Sequence, residues 1–246
     1  MNSTSRLAMP LGGSERTFTF PCWMRAWKTA NCYDYALGSW SLKRKAKSVP
    51  GDRAGVTPNT NFTTCRGMVN LTLEDNPGSI YQMRNPECKP RSGFFKVMAF
   101  VAKQGDFHWY VQMRAIEYRT QSGDTVQSLA KFFKVKPTAI VSALSTAVRP
   151  MSPLHGRISN PDNKVNKPLV GKGTPVRPNV VMTLPCNLWC HKQGWAGGPI
   201  AVDAKGNTIV DPRKACTHYP GLDYNYCSTY AVRRGGVATG ANSNRE

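Results

Sequence analysis

Acidic side chains are scarce in this sequence. Asp and Glu together number 14 against 33 Lys and Arg, which leaves a formal charge of +19 at pH 7. A field of that sign disfavours polycations and draws acidic partners: anionic polymers, anionic lipid, acidic protein surfaces such as neighbouring capsid subunits, or nucleic acid. Nucleic acid is the least expected of these, because no RNP, KH or zinc-finger pattern accompanies the basic residues. Long apolar runs are missing as well. No stretch approaches the roughly 20 residues that a membrane-spanning helix needs. Residues 1–10 lack the apolar segment of a secretory leader, so the expectation is no signal peptide and residence in a virion or in the cytoplasm of the producing cell.

What is present describes a folded chain. Of 246 residues, 40% are hydrophobic and 19% charged, a globular composition with room for one large domain or two smaller ones. The 21 Gly and 18 Pro predict many turns, with more sheet and loop than helix. Residues 1–21 read as an extended arm and 233–246 as a flexible tail. The densest basic cluster, Lys43-Arg44-Lys45-Ala46-Lys47, reads as a solvated loop. Trp23, Ala26, Trp27 and Ala30 recur at helical spacing. Residues 31–38 read as a short helix that Asn31 caps and Gly38 closes. Residues 39–93 are rich in Pro, Gly, Asn and Thr and predict loop with one short helix. Residues 94–102 and 107–114 predict a hairpin around Gly105-Asp106. Later strands are expected over 187–195 and 224–232, with a turn at Lys205-Gly206-Asn207.

Between the hairpin and those later strands lies Tyr118-Arg119-Thr120-Gln121-Ser122-Gly123-Asp124-Thr125-Val126-Gln127-Ser128-Leu129-Ala130. A strand ends at Gly123. Asp124 or Thr125 then caps a helix with Val126, Leu129, Ala130 and Phe133 on one face. Lys136-Pro137-Thr138 opens a second helix bearing Ile140, Val141 and Leu144. A strand over 180–184, closed by Pro185, completes the order β, α, α, β. This spacing resembles a LysM domain over residues 117–185, with a Pro-, Asn- and Lys-rich insertion at 145–178. The resemblance implies binding of a polymer containing N-acetylglucosamine, of the peptidoglycan or chitin type, with Gly123, Asp124 and Thr125 in the binding loop.

Residues 22–116 and 186–232, which flank this module, carry a cysteine and two histidines on helix, strand and strand. They are Cys32 in Asn-Cys-Tyr-Asp-Tyr-Ala-Leu, His108 in Gly-Asp-Phe-His-Trp-Tyr and His191 in Trp-Cys-His-Lys. That order is similar to the NlpC/P60-like branch of papain-like cysteine hydrolases, and the likeness covers about half the chain. It implies Cys32 as the nucleophile with a pKa lowered at a helix N-terminus, His108 as the base, and His191 as the residue that orients it. The alternatives for these residues are a buried apolar cysteine and a core histidine.

The chain has eight cysteines. Free thiols, disulfides and a zinc site at Cys186, Cys190, Cys216 and Cys227, near His191 and His218, all stay open. No cofactor is expected. The six Trp suit sugar stacking or the core. The expected fold is α+β: a papain-like half-barrel with an inserted LysM-like module and terminal arms. Two functions compete: a glycan-binding cysteine amidase or endopeptidase of the cell wall, and a structural virion component such as a minor capsid or cement protein.

Overall fold

The structure is a computed structural model, and it describes residues 9–18, 30–39, 47–56, 61–147, 173–194, 198–237 and 239–240. Within these, helices α1 (Cys32–Leu37), α2 (Cys65–Asp75), α3 (Val126–Phe133) and α4 (Pro137–Ser145) accompany eight strands. The strands are β1 (Arg16–Phe18), β2 (Ile80–Gln82), β3 (Phe94–Ala102), β4 (Asp106–Arg119), β5 (Val181–Lys192), β6 (Pro199–Ile200), β7 (His218–Tyr219) and β8 (Leu222–Arg233). The fold is α+β, as the composition predicts. Its sheet is open and runs β2-β8-β3-β4-β5-β6, with every neighbour in that path antiparallel.

The hairpin forms at the expected place. All nine residues of β3 are buried, because both faces of the sheet are covered. Val97, Ala99 and Val101, with Trp109 and Val111 of β4, pack toward Tyr33, Leu37 and Met68 of α1 and α2. Met98, Phe100 and Ala102 pack with Tyr110 and Trp189 toward Met9, Ile209 and Tyr224. Trp109 and Trp189 are fully buried core residues, not sugar platforms. Truncating such a buried indole to alanine costs about 3–5 kcal/mol. Trp23, Trp27, Trp40 and Trp195 lie outside the described residues.

The amino-terminal arm is docked over the residues described. Met9 is buried, and its carbonyl accepts from Gln112 Nε2 and Asn187 Nδ2, each at 2.7 Å. β3 stops pairing with β4 at Val97↔Val111, and β1 takes the vacated edge in parallel at Met113–Ile116. Arg16 of β1 then reaches the end of α1, where its Nη2 donates to the carbonyls of Tyr35 and Ala36 at 2.7 and 2.8 Å. These are carbonyls of the last helical turn, where that of Tyr35 also accepts from the Gly38 amide at 3.2 Å, and a guanidinium suits such acceptors. The tail is also held in part: Thr239 is buried, and its hydroxyl donates to Asp34 of α1.

Strands that the sequence predicts as separate are continuous, although they stop short of the expected Gly123 and 195. β4 continues past Arg114 to Arg119, and β5 runs through Pro185 to Lys192. Pro185 is tolerated because it faces Ala115 at a register shift, where the ladder is already irregular. The same two strands therefore form the outer strands of the βααβ unit and the histidine-bearing sheet. One apolar cluster holds Tyr118, Leu129, Phe133 and Leu184 together with Cys32, Tyr33 and Trp109. In α4, Ile140 is buried but Val141 is 55% exposed, so Val141 is not a core residue as its apolar character predicts. Residues 39–93 contain the 11-residue helix α2, capped by Thr64. Asp75 at its end accepts from Tyr33 Oη and from the amides of Gly51, Arg53 and Ala54 at 2.8–3.1 Å. One carboxylate thus ties α1, α2 and the loop at 47–56.

Candidate functional site

Asn31 and Asp34 set the position of Cys32. The Asn31 side chain accepts from the Asp34 amide, and the Asp34 carboxylate accepts from the Asn31 amide, each at 3.0 Å. This capping box makes Cys32 the first residue of α1, and Gly38 closes the helix with φ +76°. Both ends match the sequence expectation. His108 comes from β4 and His191 from β5. Pairing between these strands ends at Tyr110↔His191, so Phe107 and His108 border a notch in which Gln193 and Gly194 face them without a ladder. A cavity of about 340 Å³ opens there. Asn31, Cys32, Lys47 and Val49 line it from the α1 region, Asp106, Phe107 and His108 from β4, and Tyr219, Leu222 and Tyr224 from the carboxy-terminal hairpin.

The two histidines form a directed chain. His108 Nε2 lies 2.7 Å from His191 Nδ1, and His191 Nε2 lies 2.9 Å from the Val202 carbonyl oxygen. A carbonyl only accepts, so His191 Nε2 carries a proton. In neutral His191, Nδ1 is then the acceptor, and His108 must donate from Nε2. The Nδ1 of His108 is left with its lone pair. Burial, and next to it the neighbouring His191, holds His108 well below the ordinary histidine pKa, so the ring is neutral near pH 7. His108 is thus a neutral base with its accepting nitrogen fixed by two neighbours. The NlpC/P60 resemblance implies such an orienting role for His191.

Cys32 departs from the expectation. Its thiol donates to the Phe107 carbonyl at 3.7 Å, not to an imidazole. Burial, followed by the charge of Asp106, pushes the thiol up to about 12. The Trp109 backbone N–H favours the thiolate but is outweighed. A helix of six residues adds little dipole, and the site is buried, so the expected lowering does not occur at rest. The sulfur nonetheless sits between the backbone groups of Phe107 and Trp109, the two residues that flank His108.

The other cysteines do not form the zinc site considered above. Cys227 is joined to Cys65, 162 residues away. Cys186 and Cys190 are buried in the apolar core, and burial raises both thiols. Among the described residues, no group of three or more His, Cys, Asp or Glu side chains is arranged to hold a metal. Cys22 lies outside the described residues.

At the LysM-like loop, Thr125 is the N-cap of α3 in a reciprocal box with Ser128, both bonds at 3.0 Å. Asp124 is buried and accepts from Tyr118 Oη at 3.0 Å and from the Gln121 amide at 2.7 Å. Its own carbonyl accepts from Val176. These side chains lock the turn and face inward, so of the three expected glycan contacts only Gly123 offers exposed surface. Of the insertion at 145–178, residues 148–172 lie outside the described residues.

Sequence reasoning did not find Asp106, Tyr219 and Tyr224. Tyr224 Oη donates to Asp106 Oδ2 at 2.6 Å, and both tyrosine rings stand beside His108, with centroids 5.3 Å away for Tyr224 and 6.2 Å for Tyr219. Among the described residues, no helix is long and apolar enough to cross a membrane. No protein-family model, curated protein or solved structure matches the chain.

Proposed function

We propose that the chain is a cysteine hydrolase of the papain-like, NlpC/P60-like type, acting on an amide of a peptidoglycan-like polymer, with the LysM-like region as its targeting element. The observation that carries this reading is the neutral, singly oriented His108 in one cavity with Cys32 at the start of a capped helix. In the reaction, rotation about the Cys32 side chain takes the thiol from the Phe107 carbonyl to His108. His108 Nδ1 accepts the proton as Sγ adds to the substrate carbonyl, with the Cys32 backbone N–H beside the forming oxyanion. His108 returns the proton to the leaving amine, which departs and leaves a thioester. Water, deprotonated by His108, cleaves the thioester, releases the acid and restores the thiol. In this reading the open sheet β2-β8-β3-β4-β5-β6 corresponds to the half-barrel of such enzymes, and β4, α3, α4 and β5 supply the LysM-like order.

The test is release of soluble fragments from peptidoglycan sacculi by the full chain under reducing conditions, beside Cys32→Ala and His108→Ala. Release by the wild type alone is expected. No release by any of the three would overturn the hydrolase. A structural role in a particle would then lead, a reading favoured by the resting thiol bonded to Phe107 and by the +19 charge.

A further inference from the structure

The wall of the cavity beside His108 is built from a carboxylate and aromatic rings. Asp106 precedes His108 by two residues on β4, so both side chains leave the same face of the strand. Asp106 Oδ1 accepts from the Phe107 amide at 2.8 Å, and Oδ2 accepts from Tyr224 Oη. Neither partner is a cation, and no Lys or Arg forms an ion pair with Asp106 among the described residues. In a chain with 33 Lys and Arg against 14 acidic residues, a partly buried carboxylate with no Lys or Arg ion pair among the described residues is unusual. Tyr219 and Tyr224 line the same wall, with centroids 6.1 Å apart at an interplanar angle of 71°. Tilted phenol faces next to a carboxylate provide both components that attract an organic cation: the ring quadrupole and a formal negative charge.

We propose that this wall is a subsite for a primary ammonium group of the substrate, with Asp106 as its anion and Tyr219 and Tyr224 as its aromatic sides. The inference rests on reading the Cys32 cavity as a substrate site and adds the class of substrate: one with an amine close to the scissile carbonyl. An ammonium bound there also offsets the Asp106 charge, which otherwise opposes the Cys32 thiolate. The cationic substrate thus promotes ionisation of the nucleophile that attacks it.

The experiment measures binding without turnover, using full-length Cys32→Ala and isothermal titration. One pair of probes is alaninamide against N-acetylalaninamide, which differ by an α-ammonium. The other is N-acetyl-lysinamide against N-acetylnorleucinamide, which differ by a side-chain ammonium. In at least one pair the cationic member is expected to bind about tenfold tighter or more, and adding Asp106→Asn should remove that preference. The responding pair identifies which ammonium the wall reads. If Asp106→Asn does not fold, Tyr219→Leu is expected to weaken the cationic probe alone by about threefold or more. Equal affinities in both pairs, no detectable binding, or a preference that survives Asp106→Asn would overturn the proposal. Sacculus release does not decide it. A chain that prefers the cationic probe but cleaves nothing keeps this subsite and loses the hydrolase. One that cleaves but shows no preference keeps the hydrolase and loses the subsite.

Discussion

His191 holds His108 in a single tautomer: the 2.7 Å contact runs from His108 Nε2–H to His191 Nδ1, and the Val202 carbonyl prevents its reversal. A residue that acts only by packing would not control where a proton sits. His191→Phe keeps an aromatic ring but removes the acceptor. Hydrolysis is expected to fall by up to about 10⁴-fold, the cost of losing the partner that fixes the tautomer of a catalytic histidine. His108→Ala, which removes the base, should cost about 10²–10⁴-fold. Nitrogen NMR of His108 separates positioning from packing. Wild type should show one tautomer protonated at Nε2, and His191→Phe a mixture. A single unchanged tautomer in the variant would refute the assignment.

The resting thiol gives a second prediction. Cys32 is held at about 12, first by burial and then by Asp106. Alkylation by iodoacetamide requires thiolate. Cys32 should therefore react slowly at pH 7, more slowly than exposed Cys88, and its rate should still be climbing at pH 10. Asp106→Asn removes a charge that opposes the thiolate, so it should accelerate Cys32 alkylation at fixed pH. Peptide mass spectrometry reads both cysteines in one sample. A plateau for Cys32 below pH 9 would contradict the geometry.

Asp75 carries a structural prediction that reaches the site. Its carboxylate accepts four hydrogen bonds, one from Tyr33 in α1 and three from the loop at 51–54. Asp75→Ala strands buried donors, and each costs about 1–3 kcal/mol. A loss of at least about 3 kcal/mol is expected in urea denaturation. Asn at this position keeps one acceptor oxygen and should lose less. Equal losses for the two variants would mean that packing, not hydrogen bonding, dominates there.

The legible parts of this molecule are those where a local signal and its tertiary use coincide. The Asn31 cap, the Gly38 stop, the hairpin at Gly105-Asp106 and the Thr125 cap were readable because each is satisfied within a few residues. The order Cys32, His108, His191 was readable, and His108 and His191 do meet. Three features were not. β4 and β5 each join two strands expected to be separate, because pairing continues across the irregularity at Met113/Ala115 and across Pro185. The Cys65–Cys227 bridge spans 162 residues, and sequence does not fix such connectivity. Asp106, Tyr219 and Tyr224 become a wall only when β8 pairs with β3, which no local pattern announces.

Buried ionisable groups give a last prediction, on stability in alkali. Cys32 and Cys186 are raised from 9.0 to about 12 and Cys190 is also raised well above its ordinary value, each first by burial. A group whose folded pKa is raised contributes stability that is full below its unfolded value and lost as pH climbs toward the folded one. These thiols therefore weaken the fold progressively above pH 9. Lys96 and Lys192 act in the opposite sense. Burial lowers each from 10.5 to about 8, so their contribution grows between pH 8 and 10.5 and is then complete. The two trends oppose each other up to about pH 10.5. Above that the thiols, joined by buried tyrosines such as Tyr33 and Tyr35, outnumber Arg16, the guanidinium that burial lowers to about 10 and that acts in the lysine sense. Stability should accordingly change little between pH 8 and 10 and fall steeply beyond about 10.5. Cys186→Ala should soften that fall, because it removes one of the groups the unfolded chain can ionise and the folded chain cannot. Urea midpoints at half-unit pH steps, for wild type and variant, test both statements, and a decline already steep at pH 9 would place the balance with the thiols alone.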